Sequence, residues 1–232
     1  MRLLFLHALP FGGEMWADEM AHFGNDALAP TLYDTGDSLT HWATAALHLV
    51  GDEPVVVIGC SVGGSCALEV ARLAPEQVAG IVLIGAKADV RPEPALRDAA
   101  IAHIESTGVD SAWAEYWRPL FGPNTPAATV EAAHLLAHMV TPASLQRGVR
   151  AFHDRNELTA FAAAWTRPLI GISGAHDISP APATVRSLAT GPNRRFHLVA
   201  DCGHYVSLEQ PSTFRSLLAE SIEWIMEAGQ GS

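Results

Sequence analysis

The stretch Gly59-Cys60-Ser61-Val62-Gly63 carries the most information about the fold of this sequence. It follows an apolar run, Pro54–Gly59, that is typical of a buried strand, and it opens the helical pattern of Gly63–Ala74. A strand that turns sharply into a helix exposes the middle residue of the turn, and small flanking residues let the backbone approach its neighbours. The helix N-terminus also presents free N–H groups that stabilise negative charge. The stretch therefore predicts that Ser61 is an exposed nucleophile.

Further apolar runs, each short and continuous, resemble strands that are buried on both faces of a parallel sheet. These runs are Leu3–Leu6, Gly80–Ile84, Pro168–Ile172 and Phe196–Val199. Helical patterns lie between and after them, at Glu14–Phe23, Ser38–Val50, Pro182–Leu188 and Pro211–Ala228. The alternation predicts an α/β fold in which a mostly parallel central sheet has helices on both faces.

Residues 88–166 interrupt this alternation, because they contain helical patterns and no strand pattern. The candidate helices are Pro94–Ser106, Ser111–Phe121, Pro126–Met139 and Pro142–Asp154. Parallel sheets bind ligands at the carboxyl ends of their strands, so a helical insertion between two strands is expected to cover that edge. We therefore expect residues 1–87 and 167–232 to form a core and residues 88–166 to form an inserted helical cap.

Four apolar residues of this insertion, Trp113, Tyr116, Trp117 and Leu120, recur at helical spacing and predict one apolar face. Packing against the core is the simpler explanation of such a face. Trp113 and Trp117 are also candidates for lining a substrate cleft.

A serine hydroxyl is a poor nucleophile until a base accepts its proton, so Ser61 requires a histidine and an acid elsewhere in the chain. His204 follows the last predicted strand, and Asp177 follows the strand before it. Because the carboxyl ends of parallel strands meet at one edge, these side chains and Ser61 are expected to converge. The order Ser, Asp, His along the chain is that of the α/β-hydrolases. Asp89, just past the Gly80–Ile84 strand, is an alternative acid.

Composition excludes several classes of protein. The chain has 232 residues, and 49% of them are hydrophobic, which excludes disorder of the whole chain. Its formal net charge of −11 argues against nucleic acid or anionic membrane as a partner. No apolar stretch approaches the roughly 20 residues of a membrane span. Three cysteines without metal-type spacing predict neither a disulfide framework nor a zinc site. We expect a cytoplasmic protein.

Five motifs resemble those of the α/β-hydrolase fold superfamily, and the resemblance covers nearly the whole chain. Besides the Ser61 turn, they are His7–Gly13 for the oxyanion loop, Tyr33–Ser38 for the turn after it, Gly174–Asp177 with Pro180 for the acid loop, and Gly203-His204 with Glu209–Pro211 for the histidine loop. The segment Arg147–Leu158 most resembles small carboxylesterases and enol-lactonases. Ala8 replaces a glycine of the family, and the chain starts at the oxyanion strand, which indicates a sheet with a trimmed N-terminal hairpin.

The resemblance implies a serine hydrolase that cleaves a small carboxylic ester or lactone without a cofactor. Ser61 would form the acyl-enzyme, His204 would be the base and Asp177 the orienting acid. The backbone N–H groups of Leu9 and Val62 would form the oxyanion hole. Halide-displacing and epoxide-opening relatives carry an aspartate at the nucleophile position, so Ser61 excludes those activities.

Several alternatives stay open at this stage. The same residues suit an acyltransferase or thioesterase of a biosynthetic pathway, a cofactor-free lyase or perhydrolase, or a ligand-binding receptor with little turnover. The expected partner is a small-molecule ester, lactone or thioester, and the sequence leaves the oligomeric state undetermined.

Five other residues attract attention but have simpler explanations. His134 and His138 are four apart on a predicted helix and could share a metal, but no third ligand accompanies them in the sequence, so we expect a solvated or capping role and no metal site. Cys60 and Cys202 are expected to be packed in the core. Lys87 ends a strand on the reactive edge and is expected to be a surface charge rather than a contact for an anionic substrate.

Overall fold

A six-stranded sheet forms the centre of the computed structural model, which describes residues 1–230. The strands are β1 (Arg2–Leu6), β2 (Ala27–Leu28), β3 (Val55–Cys60), β4 (Val78–Ile84), β5 (Leu169–Gly174) and β6 (Arg194–Val199). Their order is β2-β1-β3-β4-β5-β6, and every neighbouring pair is parallel. The predicted α/β fold class is confirmed. Gly231 and Ser232, the last residues of the predicted core, lie outside the described residues.

The five predicted strands form where their apolar runs lie. Every residue of β3 and of β5 is buried, as expected for strands covered on both faces. The edge strand β2 was not predicted, because its two residues are too few to show a period.

Ten α-helices surround the sheet. They are α1 (Ala17–Phe23), α2 (Leu39–Val50), α3 (Val62–Leu73), α4 (Pro94–Ala112), α5 (Ala127–Ala137), α6 (Pro142–His153), α7 (Thr159–Ala164), α8 (Pro182–Leu188), α9 (Val206–Glu209) and α10 (Pro211–Gln230), counted over residues 1–230. Ser38 caps α2, since its hydroxyl accepts a hydrogen bond from the N–H of His41 at 3.3 Å. The short helices α7 and α9 were not predicted.

One predicted helix, Ser111–Phe121, is wrong as a continuous α-helix. The chain forms a π-helical turn over Trp113–Trp117 and a 3₁₀ turn over Arg118–Leu120. Just before it, α4 passes through the non-helical Gly108, with φ 79°. The predicted apolar face is still formed, because Trp113 and Trp117 are buried and Tyr116 and Leu120 are partly buried against the core.

The sheet topology fixes where a ligand can bind. From β1 the chain moves outward to β2, and from β3 it moves in the opposite direction to β6, so the strand order reverses between β1 and β3. In open α/β sheets the crevice outside the carboxyl ends at such a reversal is the usual binding site. The loop containing Leu9 follows β1, and Ser61 follows β3.

The helices α4 to α7 lie between β4 and β5 in the chain and are tied to the rest by side-chain hydrogen bonds. Nε of Arg147 donates to the carbonyl of Tyr33 at 2.9 Å, and Nδ2 of Asn156 donates to Oε1 of Glu69 at 3.0 Å. The division into a core and a cap domain stays a prediction. Within residues 1–230, no helix combines the length and apolarity that crossing a bilayer requires.

His7 directly follows β1 and is fully buried. It connects the end of β1 to the segment between β2 and α2. Its Nε2 accepts a hydrogen bond from the N–H of Leu32 at 3.1 Å, and its ring packs against Tyr33 and Trp42. Burial lowers the pKa of His7 from 6.5 to about 4. The ring is therefore neutral at pH 7, with the acceptor at Nε2 that this hydrogen bond needs.

This burial predicts a pH-dependent stability. Because the unfolded chain binds a proton at His7 below about pH 6.5 and the folded chain does so only near pH 4, lowering the pH from 7 to 5 should reduce the free energy of unfolding by about 2 kcal/mol through this residue. Urea unfolding at the two pH values measures the loss. His7→Gln keeps an acceptor for Leu32 and should remove that part of the loss, whereas the exposed control His48→Gln should retain it. An equal loss in His7→Gln and the wild type would contradict the assignment.

Candidate active site

Ser61 occupies a strained turn between β3 and α3. Its φ of 56° and ψ of −119° place it in a region that L-residues rarely adopt. The turn is held by the N–H of Ser61, which donates to the carbonyl of Ile84 at 2.8 Å. Gly63 is required beside it, because a Cβ there would collide with the carbonyl oxygens of Leu6 and His7. The predicted turn is thus formed, and it brings the start of α3 against the end of β1.

His204 and Asp177 form a buried pair. Nδ1 of His204 lies 3.0 Å from both carboxylate oxygens of Asp177, and both side chains are almost completely shielded from water. Oδ1 of Asp177 also accepts a hydrogen bond from the N–H of Ser179 at 2.9 Å. Gly85, with φ 52°, lies against the pair, and a Cβ at this position would come within 2.8 Å of the imidazole and 2.9 Å of the carboxylate.

Asp89, the alternative acid, makes no contact with His204 among the described residues. Its backbone carbonyl accepts a hydrogen bond from Nη2 of Arg155 at 2.6 Å, and its side chain lines a neighbouring groove with Arg91 and Glu93. The geometry brings Asp177, and not Asp89, to the histidine.

Two backbone N–H groups near Ser61 are free to donate. Val62 is the first residue of α3, so its N–H has no partner within the helix. The N–H of Leu9 makes no hydrogen bond to any described residue, while the carbonyl of Leu9 accepts one from the hydroxyl of Tyr205 at 3.0 Å. Tyr205 therefore fixes the loop that carries Leu9.

Ser61 and His204 line the same cavity, which has a volume of about 280 Å³. No hydrogen bond joins their side chains among the described residues, and such contacts are often long in enzymes without substrate. Most of the wall is apolar, being formed by Leu9, Leu96, Ala100, Tyr116, Trp117, Leu120, Val149 and Phe152. Lys87, Glu93 and His153 supply polar groups.

Of the two predicted lining residues, Trp117 is in the cavity wall and Trp113 is not. Trp113 is buried, stacks on His134 with ring centroids 5.0 Å apart, and contacts Phe11 and Phe121. These contacts connect the start of the π turn to the loop after β1 and to α5.

Lys87 is more enclosed than expected of a surface charge. It is half-buried and borders both the cavity and the groove beside it. Burial, reinforced by the positive charge of Arg155, lowers its pKa below the ordinary value. Cys60 and Cys202 are buried as expected, and burial raises the pKa of both thiols, so neither forms the reactive thiolate readily.

A larger groove, of about 660 Å³, lies elsewhere, between α7 and the start of β6. It is lined by alanine, threonine and other residues, none of them histidine, cysteine, aspartate or glutamate. The smaller cavity at Ser61 is therefore the one with the groups that chemistry requires.

Glu209 belongs to the predicted histidine loop, but its hydrogen bonds were not predicted. Its buried carboxylate accepts hydrogen bonds from the N–H groups of Gly203 and Tyr205, each at 3.0 Å, which flank His204 on both sides. It also accepts from the N–H of Gly122 at 2.8 Å. Glu209 thus connects the histidine loop to the segment between β4 and β5.

Comparison with known proteins assigns the family. The model of the Alpha/beta hydrolase family matches residues 3–217, so the chain belongs to that family. Comparison with curated protein sequences gives no match.

Solved structures share the fold at low sequence identity. A thermophilic esterase from Thermogutta terrifontis is 21% identical with a TM-score of 0.87, covering 97% of this chain and 90% of that one. The enol-lactonase from Burkholderia xenovorans is 16% identical, with a TM-score of 0.82 and coverage of 95% and 90%. An esterase from Exiguobacterium antarcticum is 16% identical, with a TM-score of 0.80 and coverage of 96% and 92%.

The contacts of Glu209 predict the effect of replacing it. Glu209→Gln places an amide N–H₂ against backbone N–H donors, so turnover of any substrate that depends on His204 should fall tenfold or more, with KM changing less than kcat. The free energy of unfolding should fall by about 2 kcal/mol. Steady-state kinetics well below the unfolding temperature separate the two effects. Glu220→Gln, an exposed change on α10, is the control, and an unaltered kcat in Glu209→Gln would contradict a positioning role.

Proposed function

We propose that this protein is a serine hydrolase that cleaves a small carboxylic ester or lactone through an acyl-enzyme on Ser61. The observation that carries the proposal is the buried pair of His204 and Asp177, joined at 3.0 Å, beside a cavity that Ser61 also lines. A buried carboxylate at Nδ1 leaves Nε2 of the imidazole as the acceptor for a serine proton.

In the proposed reaction, His204 removes the proton of Ser61 as the hydroxyl attacks the carbonyl carbon. Asp177 orients the imidazole and stabilises its charged form. The oxyanion is bound by the N–H groups of Leu9 and Val62, each lowering the barrier by about 3 kcal/mol. The imidazolium then protonates the leaving alcohol, and a water activated by His204 releases the acid.

The cavity supports a small, mainly apolar substrate. Its volume of about 280 Å³ is at the lower end of ligand sites, and its wall is formed mostly by aromatic and aliphatic side chains. The structures similar in fold include two esterases and an enol-lactonase, which agrees with an ester or lactone as the substrate class.

Replacing the proposed nucleophile tests the reaction. Ser61→Ala should reduce the hydrolysis of an activated short-chain ester roughly 10⁴-fold, because no acyl-enzyme can form. Ser65→Ala removes a hydroxyl one turn further along α3, where it donates to the carbonyl of Lys87, and should leave turnover within a few-fold of the wild type. Near-normal hydrolysis by Ser61→Ala would exclude Ser61 from the mechanism.

The cavity wall predicts substrate preference. Trp117→Ala should raise kcat/KM for a six-carbon acyl ester relative to a two-carbon one by about tenfold or more, since room for even one further methylene contributes about 1–3 kcal/mol. A series of acyl esters of one alcohol measures the ratio. Trp224→Ala, on α10 under the side chain of Arg195, should leave the ratio as it is. A ratio unchanged by Trp117→Ala would place the acyl chain elsewhere.

A further inference from the structure

Three potential metal ligands meet on the helices between β4 and β5. Asp110 lies near the end of α4, His134 lies in α5, and His138 directly follows α5. One nitrogen of each histidine and one carboxylate oxygen lie within 4.8 Å of one another. Oδ1 of Asp110 is 2.8 Å from Nε2 of His138 and 2.9 Å from Nε2 of His134.

Only one of the two histidines in this cluster has a well-formed hydrogen bond at its Nε2 atom. Nε2 of His138 has a well-directed hydrogen bond to Asp110. Nε2 of His134 is buried and, although it is close to the same oxygen, has no hydrogen bond of acceptable geometry to any described residue. A buried ring nitrogen in this position costs free energy unless another partner satisfies it.

The packing of the aromatic rings also fixes the orientation of the two histidines before any ion binds. The ring of His134 stacks nearly parallel on Trp113, with an interplanar angle of 13°, and the two histidine rings lie 4.8 Å apart. Because the stacking fixes the ring of His134 and a helical turn spaces it from His138, both Nε2 atoms face the same point.

We propose that Asp110, His134 and His138 bind one divalent transition-metal ion, with Zn²⁺ as the reference ion. Two imidazoles and one carboxylate are a ligand set that suits zinc. Ligand atoms about 2.0–2.1 Å from a tetrahedral zinc ion lie about 3.3 Å apart, so the carboxylate must withdraw by about half an ångström and the two imidazole nitrogens, which lie within 4.8 Å of each other, must move closer together. Asp110 is exposed and free to do so, and water would complete the coordination.

No metal was predicted at these histidines because no third ligand is near them in the sequence. Asp110 is 24 residues before His134 and 28 before His138, and packing of the end of α4 beside α5 brings it there. The bound ion would join the two helices. It would also restrain the π turn that begins at Trp113 and ends at Trp117 in the cavity wall.

Zinc binding to the intact protein tests the proposal independently of catalysis. Isothermal titration calorimetry with ZnCl₂, after removal of metals by a chelator, should give one saturable site. Zinc at tenfold the dissociation constant should raise the midpoint of thermal unfolding by about 3–5 °C. Mg²⁺ prefers oxygen ligands and should cause no shift.

Asp110→Asn and His138→Gln should each weaken zinc binding at least tenfold. The quantity compared is the difference in unfolding midpoint with and without zinc, so a lower stability of either variant does not affect the result. His41→Gln is the matched control, because His41 is an exposed histidine that lies 4.0 Å from Asp37 outside the cluster. It should bind zinc as the wild type does. The absence of a saturable site, or equal zinc shifts in all three variants, would overturn the proposal.

Discussion

The close contact between the first turn of α3 and the end of β1 is the constraint on which the rest of the site depends. Gly63 permits it, since any side chain there would collide with the carbonyls of Leu6 and His7. The contact places the strained Ser61 and the free N–H of Val62 next to the loop that carries Leu9. It occurs where the strand order reverses, which is the position that parallel sheets offer to a ligand.

Two buried carboxylates and the backbone groups that they bind hold His204 in position beside that contact. Asp177 binds His204 from one side, while Glu209 holds the N–H groups of the residues on both sides of the histidine. Gly85 leaves room for the pair. Because these contacts are buried and made largely to the main chain, they fix the histidine more rigidly than exposed side-chain contacts would.

Sequence predicts those parts of the site that follow from local patterns and from the common edge of a parallel sheet. Ser61, Asp177 and His204 each follow a strand, so their convergence could be expected. Glu209 lies in the predicted histidine loop and its bonds to Gly203 and Tyr205 are local, whereas its bond to Gly122 spans 87 residues and leaves no short-range pattern. Trp113, a candidate for the cleft, is instead packed among Phe11, Phe121 and His134, which come from separate segments that no local pattern links to it. Asp110 depends on helix packing, which no short-range pattern records.

Covalent labelling with a fluorophosphonate measures the central claim most directly, because such reagents form a stable bond only with an activated serine. Mass spectrometry of the digested protein should find the adduct on the peptide that contains Ser61, at one label per chain. Replacing His204 with alanine should abolish labelling while the fold is retained. Labelling at another serine, or at Ser61 with equal speed in the absence of His204, would contradict the proposed arrangement.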